Sequence, residues 1–156
     1  MTAYDAADVG RVVSLQTKRE HFAALEPVES FRATPLGLEG DKHAGREEGR
    51  RQVLLAEAGD LHDIDLKPGD LREQVTVDLP GLMSLAEGTR LRIGQALLEV
   101  TGPCEPCTHI GEHLGAEDRE ETRRRLLGRR GMLARIVGEG VIRRDDPVEL
   151  EEDGRG

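Results

Sequence analysis

The sequence predicts a mainly β protein, an antiparallel barrel or sandwich with a few short peripheral helices. Short apolar or alternating runs recur along the chain, and 19 glycines and 7 prolines separate them. The helical stretches are few and modest. Neither an internal repeat nor a linker is present, so residues 1–156 are expected to form a single domain with its core at about 10–150.

The first half of the chain contains four predicted strands. Residues 10–17 carry apolar side chains, and residues 30–38 form a second extended segment. Residues 52–55 are a short apolar run typical of a buried strand. Residues 71–79 alternate between apolar and polar, the period of a half-buried strand. Glu73 and Gln74 are polar at the entry of this strand, where they are expected to face a site.

The second half begins with the clearest local signal. Residues 89–93 and 96–101 are predicted to pair as a hairpin, because a glycine leads the two-residue loop Gly94-Gln95. A closing hairpin is predicted from residues 132–137 and 141–142, and a last strand at 147–150.

Two helices are predicted, at residues 56–63 and 116–127. In the second, Glu120 with Arg124 and Glu121 with Arg125 are spaced to pair along one face. The charged tail after the last strand is expected to be disordered.

Composition disfavours two classes of partner. The formal net charge is -9, and aromatic residues make up only 2% of the chain. A nucleic acid or an anionic membrane would be repelled, and no platform for base stacking is available. No signal peptide or long apolar span is seen. The sequence therefore predicts a soluble, cytoplasmic protein.

The two cysteines lie at the end of the hairpin, in Thr101-Gly102-Pro103-Cys104-Glu105-Pro106-Cys107. Thiols at this spacing can form a reversible disulfide, hold part of a metal site or present one activated thiolate. Pro106 suits the first turn of a helix, which would favour a thiolate at Cys107. His109 would assist if protonated, whereas Glu105 would raise the thiol pKa.

Two rival interpretations remain open. Cys104, Cys107, His109 and His113 have the ligand types of a zinc site, although all four lie within ten residues. The cysteines could also be two half-buried residues of a turn with a structural role only.

Five motifs, taken together and in order, resemble the MOSC domain, the C-terminal domain of molybdenum cofactor sulfurases. The resemblance covers roughly residues 10–148. The motifs are GDKHAG at 40–45, RQVLL at 51–55, PGDLREQVT at 68–76, LRIG at 91–94 and GPCEPC at 102–107.

The resemblance implies a MOSC-type β-barrel with Cys107 as its functional centre. Family domains are thought to carry sulfur as a cysteine persulfide, received from a pyridoxal-phosphate cysteine desulfurase, or to bind the molybdenum cofactor through cysteine. Cofactor-binding members reduce N-hydroxylated compounds, which would require a redox partner. A carrier would be of the sulfurtransferase type, with Cys104 able to attack the persulfide on Cys107.

The resemblance also suggests cofactor-binding residues. Lys42, His43 and Arg51 are the cationic candidates, and Gln52 adjoins the last of them in its motif. Glu73 is a candidate hydrogen-bonding partner for a pterin ring. The family usually has Asn after this Glu, whereas this chain has Gln74, whose longer side chain could alter the pocket.

Overall fold

In a computed structural model of the protein, the described residues are 9–17, 25–39, 53–105, 110 and 114–151. Several predicted features lie outside these residues and stay predictions. They are the loop at 40–45, Arg51 and Gln52, the segment 106–109, His113 and the charged tail beyond residue 151.

The described part of the chain contains eleven strands, numbered in chain order. They are β1 (Val9–Thr17), β2 (Glu26–Val28), β3 (Ser30–Thr34), β4 (Gly37–Leu38), β5 (Val53–Glu57), β6 (Val75–Asp78), β7 (Arg90–Ile93), β8 (Ala96–Pro103), β9 (Met132–Gly138), β10 (Gly140–Arg143) and β11 (Pro147–Leu150).

Seven of these strands close into a barrel. Their order is β11-β7-β8-β9-β5-β6-β1, and β11 pairs again with β1. Neighbours in the barrel are antiparallel except β5 and β6, which run parallel. The prediction of a mainly β barrel with short helices is confirmed, and the sandwich alternative is wrong.

Apolar side chains from alternate strand positions fill the barrel. Along β8, Ala96, Leu98 and Val100 are buried, whereas the residues between them are partly exposed. This alternation follows because successive side chains of a strand point to opposite faces of the sheet. On β5, Leu55 joins the barrel core, whereas Ala56 packs in a separate cluster.

The separate cluster holds the helices against the barrel. Its buried members are Ala56, Leu61, Ile64, Leu71, Ile110 and Leu126. Leu61 lies in helix α1 (Ala58–Asp63), and Leu126 caps the C-terminus of helix α2 (Arg119–Arg125). The cluster therefore packs Leu71 together with residues of both helices.

Both helices are shorter than predicted, because the residue that caps each N-terminus lies beyond the predicted start. Glu57 still belongs to β5, and its Oε1 accepts a hydrogen bond from the Asp60 amide at 3.1 Å. Asp118 Oδ1 accepts from the Glu121 amide at 3.0 Å, so α2 starts after it. A 3-10 helix spans Leu82–Ser84.

The salt bridges of α2 form at a closer spacing than the predicted one. Arg123 pairs with Glu120, and Arg124 pairs with Glu121, three residues apart instead of four. Both spacings bring side chains to one face of a helix, so the sequence alone could not separate them.

The predicted closing hairpin is wrong. β9 pairs with β8 and β5, whereas β10 pairs with β3 in a second sheet of order β10-β3-β4. A Cβ at Gly140 would overlap the carbonyl of Gln95, so glycine lets β10 pass close to the β7–β8 turn. The segment at 30–38 is likewise two short paired strands and not one.

No helix in the described ranges is both long and apolar enough to cross a membrane.

Replacing Gly10, at the seam where β1 meets both β6 and β11, tests the closure of the barrel. A Cβ at this position would overlap the carbonyl oxygen of Asp78. We expect Gly10→Ala to lower the free energy of unfolding by about 2–3 kcal/mol through overpacking. Urea denaturation measures this loss. Arg11→Ala, which removes one exposed ion pair to Asp145, is the control and should cost less than about 1 kcal/mol. Equal effects of the two substitutions would contradict the close contact.

Candidate functional site

The structure describes three of the predicted site residues, Cys104, Glu73 and Gln74. The other six lie outside the described residues, and their roles stay predictions. These are Lys42, His43, Arg51, Gln52, Cys107 and His109.

Cys104 follows the last residue of β8. Its amide donates a hydrogen bond to the carbonyl of Gly131 at 2.9 Å, which extends the pairing of β8 with β9 by one step. Cys104 is a free cysteine, and only 8% of it is exposed. The chain therefore enters the cysteine motif from a buried position at the end of a paired strand.

Glu73 is completely buried, and its carboxylate is the centre of a hydrogen-bonded turn. Oε2 accepts from the Gly69 amide at 2.8 Å and from Thr76 Oγ1 at 2.6 Å. Oε1 accepts from the Leu71 amide at 3.1 Å. Residues 71–74 consequently lie outside the strand, and β6 begins only at Val75, later than the predicted strand at 71–79.

Two opposing influences act on the pKa of Glu73. Burial raises the pKa above the ordinary glutamate value, because the charged form loses its hydration. The hydrogen bonds from Thr76, Gly69 and Leu71 favour the charged form and oppose the shift. Burial is the larger influence, so the pKa is raised.

Gln74 joins the start of β6 to β5. Its side-chain Oε1 accepts from the Leu54 amide at 2.9 Å, and its own amide donates to the Leu54 carbonyl at 3.1 Å. The side chain is buried, with 6% of the residue exposed. The described contacts of Gln74 are therefore structural, and contact with a pterin stays a prediction.

Gln16 of β1 supports the same turn from the other side. Its Nε2 donates to the Glu73 carbonyl at 2.8 Å, and its Oε1 accepts from the Ser14 hydroxyl. Its amide donates to the Gln74 carbonyl at 2.9 Å. Gln16 thus bonds the backbone of residues 73 and 74, and the Glu73 carboxylate bonds the Thr76 hydroxyl, so buried polar groups connect β1, the turn and β6.

Arg130 connects the cysteine end of β8 to this turn. Its Nη1 donates to the Leu71 carbonyl at 3.0 Å. The next residue, Gly131, accepts the hydrogen bond of the Cys104 amide. The backbone of Cys104 and the turn that Glu73 organises are therefore held by two consecutive residues.

A cleft of about 300 Å³ opens beside the turn. The polar residues of its lining are Ser14, Gln16, Asp70 and Arg72. The other lining residues are Leu25, Pro27, Pro68 and Gly69. The lining thus combines hydroxyl, amide, carboxylate and guanidinium side chains with apolar ones. Such a mixture is typical of small-molecule sites.

The chain was compared with known proteins. The family model of the MOSC domain matches residues 43–149. The chain belongs to the MOSC domain family. No curated protein matches the sequence.

Solved structures share this MOSC fold. The YuaD protein from Bacillus subtilis superposes with a TM-score of 0.80 at 21% identity, covering 91% of this chain and 95% of that one. YiiM from Geobacillus stearothermophilus gives 0.71 at 19% identity, covering 94% and 77%. YiiM from Escherichia coli gives 0.66 at 21% identity, covering 90% and 69%. At these identities the likeness establishes the fold.

Three of the four proposed zinc ligands lie outside the described residues. Among the described residues, no group of three or more His, Cys, Asp or Glu side chains could hold a metal ion. Of the four proposed zinc ligands only Cys104 is described, so the zinc site stays a prediction.

Sequence reasoning missed Gln16, Thr76, Arg72 and Arg130 as parts of the site. Gln16 and Thr76 offered a weak signal, because each is a polar residue within a predicted strand. Arg72 lies inside a quoted motif, but nothing in its sequence context indicates its backbone conformation. Arg130 acts on a carbonyl 59 positions away in the chain, which no local pattern reveals.

Substituting Glu73 tests the turn directly. In Glu73→Gln one acceptor oxygen becomes an NH₂ group that faces backbone amide donors. We expect a loss of about 1–3 kcal/mol in the free energy of unfolding, measured by urea denaturation. Glu117→Gln, at an exposed glutamate, is the control and should change the stability little. An unchanged Glu73→Gln variant would mean that the carboxylate does not hold the turn.

The raised pKa of Glu73 predicts a pH dependence of stability. Between the ordinary and the raised pKa, the folded protein keeps a proton that the unfolded chain has lost. The contribution of this group to the free energy of unfolding therefore decreases as pH rises through that window. Denaturation of the wild type and of Glu73→Gln at a series of pH values measures the difference. A difference that is constant, or that grows with rising pH, would contradict the direction of the shift.

Proposed function

We propose that this MOSC protein binds the molybdenum cofactor, with the thiolate of Cys107 as the ligand of the metal. The observation that carries the proposal is the cleft beside the turn of residues 67–72. Most of this turn belongs to one of the five family motifs, and the buried carboxylate of Glu73 accepts hydrogen bonds from its Gly69 and Leu71 amides.

The distance along the chain is compatible with this role. Cys107 is three residues beyond Cys104, and three residues span at most about 11 Å. The backbone of Cys104 is in turn tied through Arg130 and Gly131 to the turn that forms one wall of the cleft. This chain of hydrogen bonds supports the proposal that the cysteine motif lies near the cleft.

The described lining supports this proposal through one cationic side chain. The Ser14 hydroxyl and the Gln16 side chain are already hydrogen-bonded within the protein, so the proposal assigns the phosphate of the cofactor to the side of the cleft that Arg72 lines. When bound, the cofactor would supply redox chemistry of two electrons. The role of Glu73 in this account is to position the turn, while Lys42, His43, Arg51 and Gln52 remain proposed contacts from the family motifs.

The proposed activity is the reduction of N-hydroxylated compounds. Cleavage of an N–OH bond to N–H consumes two electrons and two protons and releases one water. Because the electrons must be supplied from outside, the proposal includes a redox partner. A reducing compartment suits the free thiol of Cys104, so the proposed location is the cytoplasm.

The second candidate function is a sulfur carrier with a persulfide on Cys107, loaded by a pyridoxal-phosphate cysteine desulfurase. The observation in its favour is the presence of two thiols three positions apart. The burial of Cys104 disfavours this function. A resolving thiol must reach its target, whereas only 8% of Cys104 is exposed. The cofactor role is therefore the better supported.

Cofactor retention separates these roles. We expect the wild type, purified without reductant from cells that make molybdenum cofactor, to carry a molybdopterin-sized adduct and molybdenum. Cys107→Ser should lose both, because the metal loses its thiolate, whereas Cys104→Ser should retain them. Native mass spectrometry and elemental analysis measure the two quantities.

The other outcomes are equally distinct. A gain of one or two sulfur masses on the wild type without molybdenum would support the carrier instead. Zinc at unit stoichiometry would overturn both functions and favour a structural role for the cysteines.

A further inference from the structure

Residues 119–130 carry a charge opposite to that of the rest of the chain. This segment contains six arginines and two glutamates, whereas the formal net charge of the whole chain is -9. A protein with such an asymmetry attracts an acidic partner to one face and repels it from the others. We call this segment, which comprises α2 and the residues after it, the basic face.

The basic face is open to solvent. α2 contains no buried residue, and Leu126 at its C-terminus anchors it in the apolar cluster. The Arg124 side chain is 54% exposed, and Arg125 is exposed as well. Leu127 is 52% exposed and is one of two exposed large apolar residues in the described part of the chain. Arginine beside an apolar side chain is a composition that protein–protein interfaces favour.

The ion pairs within the basic face leave it able to bind carboxylates of a partner. Arg123 pairs with Glu120 at 2.7 Å. Arg124 pairs with Glu121 at 2.6 Å, and both glutamates are half exposed. Exposed pairs of this kind contribute little to stability, so a partner's carboxylate can replace a glutamate at little cost. Among the described residues, none pairs with the side chain of Arg125.

The basic face continues directly into the residues that hold the entry to the cysteine motif. Its last residue, Arg130, donates to the Leu71 carbonyl at 3.0 Å. The next residue, Gly131, accepts from the Cys104 amide at 2.9 Å. A protein docked on the basic face would therefore contact a segment that is continuous with the candidate site.

We propose that the basic face is the docking surface for an acidic electron-carrier protein. This inference rests on the proposed function, which needs electrons from outside, and it assigns their donor a place on the molecule. Nucleic acid is the less favoured occupant, because the chain as a whole is acidic and has few aromatic residues.

The size and chemistry of the basic face suit a transient encounter. Reduction of one N–OH bond consumes two electrons, so a carrier that delivers one electron at each encounter must dock and leave twice. Electron-transfer complexes accordingly use small, weak interfaces. Complementary charge raises the rate of such encounters and fixes their orientation. An exposed arginine cluster with one leucine meets these needs.

A pair of double variants tests the surface at equal change of charge. Arg124→Gln with Arg125→Gln removes two cations of the basic face. Arg11→Gln with Arg144→Gln is the control, because these arginines are 60% and 48% exposed and lie outside the basic face. Leu127→Ser tests the apolar contact. The probe is a purified flavodoxin, a small acidic flavoprotein, titrated calorimetrically at low ionic strength, and urea denaturation checks that each variant is folded.

We expect the basic-face double variant to bind flavodoxin about tenfold or more weakly than the wild type. The control double variant should stay within about twofold of the wild type. Leu127→Ser should weaken binding about fivefold, because an apolar contact is lost. Docking on this face is refuted if the wild type does not bind flavodoxin or if both double variants weaken binding equally. A single-stranded oligonucleotide that displaces flavodoxin from the wild type would assign the face to nucleic acid and overturn the proposal.

Kinetics separate this inference from the proposed function. In the cofactor-loaded protein, the basic-face double variant should raise the KM for reduced flavodoxin about tenfold, while kcat with dithionite as the reductant stays unchanged. If the wild type carries no molybdenum, the proposed function fails, and the titration still decides the docking surface. If the loaded protein reduces its substrate and the KM for flavodoxin is the same in both double variants, the docking surface is refuted and the proposed function stands.

Discussion

The buried carboxylate of Glu73 is the constraint on which the candidate site depends. A carboxyl group with no solvent exposure must find hydrogen-bond partners within the chain, because an unsatisfied one would cost several kcal/mol. Here the partners are the amides of Gly69 and Leu71 and the hydroxyl of Thr76. Satisfying Glu73 therefore means folding the turn before β6, and that turn forms a wall of the cleft.

The barrel positions the strands at the site, and the turn lines the cleft. Closure between β1 and β11 fixes the strands that meet at the site, so Gln16 on β1 reaches the turn and β8 ends one residue before Cys104. The turn adds Asp70 and Arg72 to the polar residues that β1 contributes to the cleft. Arg130 links the two, since it holds the Leu71 carbonyl while its neighbour Gly131 pairs with Cys104. A MOSC protein can thus combine a rigid frame with a polar cleft.

Local patterns predicted much of the fold and little of the site. Alternation revealed the hairpin of β7 and β8, and Gly94 indeed takes a φ of 58° in its turn. The polarity of Glu73 and Gln74 in a predicted strand indicates a site. The turn around them depends on Gln16, however, which is 57 positions away from Glu73. The partner of β10 was missed for the same reason, because pairing with β3 is a long-range contact that no periodicity encodes.

Amide hydrogen exchange at Gly69 and Leu71 tests the central claim, that the buried carboxylate of Glu73 builds this wall of the site in advance. Both amides lie outside the strands, and the Glu73 carboxylate is the acceptor of each, so their protection reports on these hydrogen bonds. The account predicts protection approaching that of the Val75 amide in β6 and its loss in Glu73→Ala. Exchange as fast as that of an exposed loop in the wild type would contradict it.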